Sequence, residues 1–239
     1  FKDFVQGKGR GINFLLHGPP GVGKTLTAEV LAESSRIPLY IVGVSAYCYS
    51  PLTQIGPCRA DPVKVEPILR NVFKIASRWR ALLLLDEADV FLTQRSDNPQ
   101  INALVSVFLR GLEQYDGILF LTTNRLQAFD EAVLSRVHLA LKYEALGRPA
   151  RRAVWKYFLD QARTKQGPPA FGDDVIDNLA KQELNGRDIR NLVFLAQSIA
   201  EYQGTVVNES HLETSIAGKR ELQTDFQGVG AIENRNSYM

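Results

Sequence analysis

The sequence predicts an α/β protein: a three-layer α/β/α core on a five-stranded parallel sheet, followed by a small all-helical domain. Two observations predict the core and a third predicts the helical domain. Short apolar runs bounded by Gly, Pro or Asp alternate with longer amphipathic segments, the order that generates a parallel sheet with helices on its faces. The most apolar run, Ala81 to Leu85, shows no in–out alternation and therefore needs cover on both sides. Beyond Gly147-Arg148-Pro149 only helical periodicity remains.

Taken in order, Phe1 to Gly11 is polar and Gly-rich and leads in as a loop. Ile12 to His17 is the first strand, Gly18 to Thr25 a Gly/Pro loop, and Leu26 to Ser34 a helix with Leu26, Val30 and Leu31 on one face. Pro38 to Val44 is the second strand. Residues 45–62 are irregular, broken by Pro51, Pro57 and Pro62. Val63 to Trp79 is helical, with Val65, Leu69, Val72, Phe73 and Ala76 spaced by three and four. Ala81 to Asp86 is the central strand and Ile101 to Leu112 an amphipathic helix. Ile118 to Thr122 and Val137 to Leu141 complete the sheet. Helices then come over Ala150 to Gln166, Asp174 to Ala180, Asp188 to Tyr202 and Ser210 to Glu221. The expected organisation is a core over 1–146, a helical domain over 147–223 and a poorly ordered tail over 224–239.

Bulk properties exclude several classes. With 239 residues, 45% of them hydrophobic, the chain can bury a core without staples. No apolar run approaches the roughly 20 residues of a membrane span. Basic residues number 28 and acidic ones 26, a net charge of +2, which argues against a dedicated nucleic-acid binder. The balance does not hide two opposed halves: residues 1–146 hold sixteen basic and fourteen acidic groups, and the remainder twelve of each. Along the second helix, Arg70, Lys74, Arg78 and Arg80 read as a solvated face rather than a nucleic-acid patch. Two cysteines, Cys48 and Cys58, cannot form a disulfide framework or a multi-cysteine zinc site. They fit a reducing intracellular setting, cytoplasm or nucleus. The three histidines, His17, His138 and His211, show no metal spacing, and His17 reads as a packing residue. Because the chain opens on Phe1, it is expected to be a module of a longer protein.

Chemistry concentrates in four places. Gly18-Pro19-Pro20-Gly21-Val22-Gly23-Lys24-Thr25 satisfies G-x-x-x-x-G-K-[ST] between a strand and a helix. Glycines there let backbone N–H groups curl around phosphate, and the helix N-terminus adds a positive field. Lys24 reaches the β and γ phosphates, Thr25 ligates Mg2+, and Leu26 completes the nucleotide-binding loop. Leu82-Leu83-Leu84-Leu85-Asp86-Glu87 then delivers two carboxylates to the C-terminal end of the central strand, where ligands sit in such sheets. Asp86 is expected in the Mg2+ shell and Glu87 as the base that polarises the attacking water. Asn124, ending the next strand, is placed to hydrogen-bond the γ-phosphate or that water. Arg136, twelve residues further on, is badly placed for its own phosphates and suits the site of a neighbouring subunit. In the helical domain, Arg187 or Arg190 opens a helix from which either could fold back onto the γ-phosphate. A whole strand separates the phosphate loop from Asp86, which favours the P-loop branch with an inserted strand and a catalytic Glu.

Together these residues resemble the AAA+ ATPases, over about Phe4 to about Leu222. GPPGVGKT looks like Walker A and LLLLDE like Walker B; Asn124 sits where sensor 1 belongs, Arg136 at the arginine-finger position and Arg187 at that of sensor 2. More narrowly, GKGRGINFLLHGPPGVGKTLTAE, NALVSVFLRGLE, GILFLTTNR and FDEAVLSRVHLAL resemble a group of fungal, largely uncharacterised AAA+ proteins with a long N-terminal region. The resemblance implies a P-loop NTPase core with a helical lid, ATP or ADP bound between them with Mg2+, and hydrolysis coupled to work on a protein client in a homo-oligomeric ring. It assigns Asp3 and Val5 to the segment that brackets adenine. Two features depart from it. Ser45-Ala46-Tyr47-Cys48-Tyr49-Ser50-Pro51 lacks an aromatic–hydrophobic–Gly pore loop, and Ser135-Arg136-Val137-His138 has one arginine where many relatives have two. The competing expectations are an ATP-binding scaffold with little turnover and a nucleic-acid-associated motor.

Overall fold

The computed structural model describes residues 11–43, 62–92, 98–125, 129–169 and 171–236. The chain divides into two compact units between Glu144 and Ala145.

The first unit is built on five strands: β1 (Ile12–His17), β2 (Leu39–Gly43), β3 (Leu82–Asp86), β4 (Ile118–Thr123) and β5 (Leu139–Lys142). They lie in the order β2-β3-β4-β1-β5, and every pairing is parallel. Among its described residues the helices are α1 (Lys24–Ser35), α2 (Pro62–Trp79), α3 (Asp89–Leu92), α4 (Pro99–Gln114) and α5 (Glu131–Leu134). The all-parallel α/β architecture agrees with the sequence reading. Strand ends shift by a residue or two, and β5 starts at Leu139 rather than Val137.

The continuous apolar strands resolve into two buried faces. Leu15, Leu83, Leu85, Leu119 and Leu121 share a core with α2 and α4, whose Val65, Leu69, Val72, Leu104, Val105 and Phe108 are buried in it. The alternate residues Leu16, Leu82, Leu84 and Phe120 form the opposite face. Phe14 stacks on its register partner Phe120 there, ring centroids 4.7 Å apart. With Leu82 to Leu85 all at most 1% exposed, a two-sided strand explains why no alternation is visible in the sequence.

The first helix departs from its expected face. Leu26 and Val30 are more than half exposed, and Leu31 is exposed too. The buried positions are Lys24, Ala28 and Ala32, spaced by four. Small side chains let α1 lie close on Leu16, Leu84 and Phe120, so the contact stripe carries the least apolar bulk. Counting large apolar residues therefore selects the wrong face.

The second unit is all helical in its regular elements: α6 (Arg148–Gln161), α7 (Asp173–Leu179), α8 (Gly186–Gln203) and α9 (Glu209–Asn236). Its core gathers Trp155, Leu159, Ile176, Ile189, Leu192, Val193 and Leu212. The helix expected to reach Gln166 stops at Gln161, because Thr164 and Gly167 exchange backbone hydrogen bonds and Gly167 turns at φ +133°. Asn185 and Asp188 cap α8 reciprocally. The last helix, expected over Ser210 to Glu221, runs on to Asn236.

Tyr115, 2% exposed, closes the C-terminal end of α4, and its hydroxyl donates to the Ala81 carbonyl at 3.2 Å. Burial, and then the Asp116 carboxylate, push its pKa up from 10.0 to about 12. The neutral phenol is the form the fold favours. Its contribution is complete below the unfolded value near 10 and disappears as pH rises through about 12. Denaturation followed between pH 9 and 12 should show stability falling across that window, with a smaller fall in Tyr115→Phe.

Candidate active site

The sheet order brings the C-terminal ends of β1, β3 and β4 side by side, and the chemistry-bearing residues come directly after them. β1 runs into the Gly18–Gly23 loop. Gly18 sits at φ +145°, and a Cβ there would lie 2.2 Å from the Tyr143 carbonyl oxygen, so no other residue fits. Gly23 turns at φ +101° with open space where a Cβ would go. It begins α1 without a side-chain cap, an arrangement in which first-turn N–H groups can receive an anion. β5 supports this loop: the Tyr143 N–H donates to the His17 carbonyl at 2.8 Å, and the Tyr143 and Thr27 hydroxyls bond at 2.7 Å.

Lys24 opens α1 and is 7% exposed. Its ammonium donates to the carbonyls of Gly18 (2.8 Å) and Pro19 (2.7 Å) and to Asn124 Oδ1 (2.8 Å). One cation thus joins the loop after β1 to the residue that follows β4. Burial, with Lys142 and Lys24 nearby, lowers the pKa of His17 and keeps it neutral around pH 7. His17 lies edge-on to Phe129, ring centroids 6.4 Å apart, which matches the packing role expected of it.

The carboxylates lie on the adjacent strand. Asp86 Oδ1 accepts from Thr25 Oγ1 at 3.2 Å and from Thr122 Oγ1. Glu87 is exposed and adopts φ +56°, a left-handed conformation that costs a non-glycine residue roughly 1–2 kcal/mol. Thr122 holds it there: its hydroxyl accepts from the Glu87 N–H at 3.0 Å, and its carbonyl accepts from the Ala88 N–H at 2.9 Å. The turn carries the Glu87 side chain out of the strand while Asp86 stays in register. Next to it, Thr123 Oγ1 donates to Asp89.

The sequence points to Asn124, whereas the structure adds Thr122 and Thr123. The available signal was a pair of hydroxyls ending an otherwise apolar strand, beside a partner strand that ends in Asp.

The donor set fits a nucleoside triphosphate with a hard divalent cation. An uncapped helix N-terminus and a buried ammonium suit the phosphates. A Thr hydroxyl bonded to a single Asp carboxylate suits Mg2+, which takes one or two carboxylates plus phosphate oxygens. Among the described residues, no group of three or more His, Cys, Asp or Glu is placed to hold a metal ion.

Comparison with known proteins agrees with this geometry. The model of the ATPase family associated with various cellular activities (AAA) matches residues 14–144, more than half of the chain. The chain belongs to this AAA family. As an AAA domain it binds nucleotide and hydrolyses ATP. It is 26% identical over 227 residues to a 26S proteasome regulatory subunit homolog of Methanothermobacter marburgensis, covering 89% of this chain and 56% of that one. It is 28% identical over 226 residues to the ATP-dependent zinc metalloprotease FtsH of Lachnoclostridium phytofermentans, covering 85% and 36%. Over 156 residues it is 30% identical to ATPase family AAA domain-containing protein 3 of Bos taurus, covering 62% and 25%. The chain spans about half the length of the archaeal relatives it matches.

Asp3, Val5, Cys48, Cys58 and the Tyr47–Tyr49 region fall outside the described residues. Arg187 is exposed on the first turn of α8 in the second unit, where the neighbouring Asp188 pairs with Lys219 at 2.5 Å. Arg136 comes after α5, and its guanidinium is engaged by Ala132, Ser135 and Glu113. No described helix is long and apolar enough to cross a membrane.

The Thr122 hydroxyl supports Asp86 and Glu87 at once, and its side chain is 2% exposed. Thr122→Val should strand both partners and cost about 1–3 kcal/mol in urea denaturation. ATP turnover should fall with it, and Thr122→Ser should restore both.

Proposed function

We propose that this chain is a Mg2+-dependent ATPase module whose cycle drives the remodelling of a protein partner within a homo-oligomer. The observation that carries the reading is the convergence of Lys24, Thr25, Asp86, Glu87 and Asn124 at the ends of three adjacent parallel strands. In this reading Gly18, Pro19, Pro20, Gly21, Val22, Gly23 and Leu26 form the nucleotide loop. Lys24 transfers its hydrogen bonds from the Gly18 and Pro19 carbonyls to the β and γ phosphates of ATP. Thr25 and Asp86 hold Mg2+, which when bound neutralises charge developing on the phosphate oxygens.

Glu87, in its left-handed turn directly after Asp86, takes a proton from the attacking water. Asn124, bonded to the same ammonium that meets the γ-phosphate, orients that water. Arg136 serves a neighbouring subunit. Its backbone carbonyl is bonded to Asn13, four residues and roughly 13 Å of strand before His17, so it lies toward the opposite end of β1 from its own phosphate loop. Arg187, on the helical lid, is assigned to the γ-phosphate, and Asp3 and Val5 to adenine. The names of the relatives, a proteasome regulatory subunit homolog and an ATP-dependent metalloprotease, support a protein as client.

Glu87→Gln separates catalysis from binding. It should retain ATP affinity while turnover falls by on the order of 10²–10⁴-fold, the usual weight of a general base. Equal turnover in the variant and the unaltered chain would falsify the assignment of Glu87 as the general base.

The trans arrangement has its own test. Arg136→Ala and Lys24→Ala chains should each be inactive alone and regain part of the activity when mixed, as sites form between an intact Lys24 and a neighbour's intact Arg136. Failure of mixing to restore activity, with turnover independent of protein concentration, would rule out the ring.

A further inference from the structure

Arg136 is held by more of the fold than a surface cation requires. Asn13, 3% exposed at the start of β1, donates its Nδ2 to the Arg136 carbonyl at 3.0 Å. The Asn13 carbonyl accepts from the His138 N–H at 2.8 Å, and the Asn13 N–H donates to His138 Nδ1 at 3.0 Å. Two of these hydrogen bonds tie the backbone on either side of Val137 to Asn13, and the third engages the His138 ring. At the side chain, Nη1 donates to the Ala132 carbonyl and, at 3.3 Å, to Ser135 Oγ, both within its own helical turn. Nη2 donates to the carboxylate of Glu113.

Glu113 differs from the other contacts because it comes from another element, in the last turn of α4 and 23 residues away in sequence. The Ala132 and Ser135 contacts bind one terminal nitrogen to the arginine's own turn. The Glu113 carboxylate, fixed on another element, anchors the other terminal nitrogen and so adds direction to the planar fork. Of the five guanidinium N–H donors, these contacts use three. The pair remains partly in solvent, with side-chain exposures of 28% for Arg136 and 44% for Glu113. Its value as a surface ion pair is accordingly small, and its geometric effect is the larger one.

We infer that Glu113 is the positioning residue for Arg136: it holds the guanidinium in the orientation in which a neighbouring subunit's ATP receives it. The inference rests on the reading that Arg136 acts in trans. An arginine side chain carries large rotamer entropy, and fixing its fork beforehand removes that cost from the transition state.

The test is steady-state ATPase kinetics of Glu113→Ala, Glu113→Gln and Arg136→Ala in the full chain, with thermal melts to establish folding. Loss of orientation at a distance can cost on the order of 10²-fold, and loss of one of several contacts should cost about tenfold. Glu113→Ala should therefore lower kcat about tenfold with the KM for ATP unchanged, and Glu113→Gln, which keeps size and an acceptor oxygen, should fall between. Mixing identifies which subunit needs the carboxylate. A Lys24→Ala chain, with Arg136 and Glu113 intact, should raise the activity of Glu113→Ala sites. The doubly substituted Lys24→Ala/Glu113→Ala chain should not. An undiminished or increased kcat in a folded Glu113→Ala chain, or equal rescue by both donors, overturns the positioning role while leaving Arg136 in place. An Arg136→Ala chain as active as the unaltered one overturns the trans reading itself, and Glu113 falls with it.

Discussion

The Lys24 ammonium is the interaction on which the site depends. It is a nearly fully buried cation, and burying a charge without partners is expensive. Its contacts to the Gly18 and Pro19 carbonyls and to Asn124 satisfy it, and they also tie the loop after β1 to the end of β4. A phosphate-binding loop of glycines and prolines has little packing of its own to give it shape. The cation inside it and Tyr143 against it supply that shape.

Strand order explains why this cation meets those partners. Inserting β4 between β1 and β3 places Asn124 beside the phosphate loop, although a hundred residues separate it from Lys24. The same insertion sets the Thr122 hydroxyl against Asp86 on the neighbouring strand and under the Glu87 turn. The unfavourable backbone of Glu87 persists because neighbouring groups fix it, the usual circumstance of strain at a functional site. Arg136 depends on sheet order in the same way. Its carbonyl is bound to the start of β1, and the strand's length separates it from the loop at the other end.

Much of this was legible in the sequence because it rests on local order. The strand–loop–helix setting of Gly18 to Thr25, the acidic pair after four leucines and the polar end of β4 each declare themselves within a few residues. What eluded sequence reasoning depends on contacts between distant segments. The close packing of α1 through Ala28 and Ala32 reverses the apparent polarity of that helix, because closeness to a sheet is gained with small residues. The roles of Thr122 and Glu113 exist only once β3 meets β4 and α4 meets α5. The end of α6 at Gln161 is set by a two-way backbone bond across Gly167 rather than by any break in periodicity.

If Lys24 is a phosphate-binding cation which its own loop holds ready, equilibrium titration of ATP and AMP into the unaltered chain and Lys24→Ala, both shown to be folded, should separate the two nucleotides. Lys24→Ala should lose most of its ATP affinity, while AMP, which lacks β and γ phosphates, should bind both chains alike. Undiminished ATP affinity in Lys24→Ala, or an equal loss for AMP, would contradict that role of Lys24.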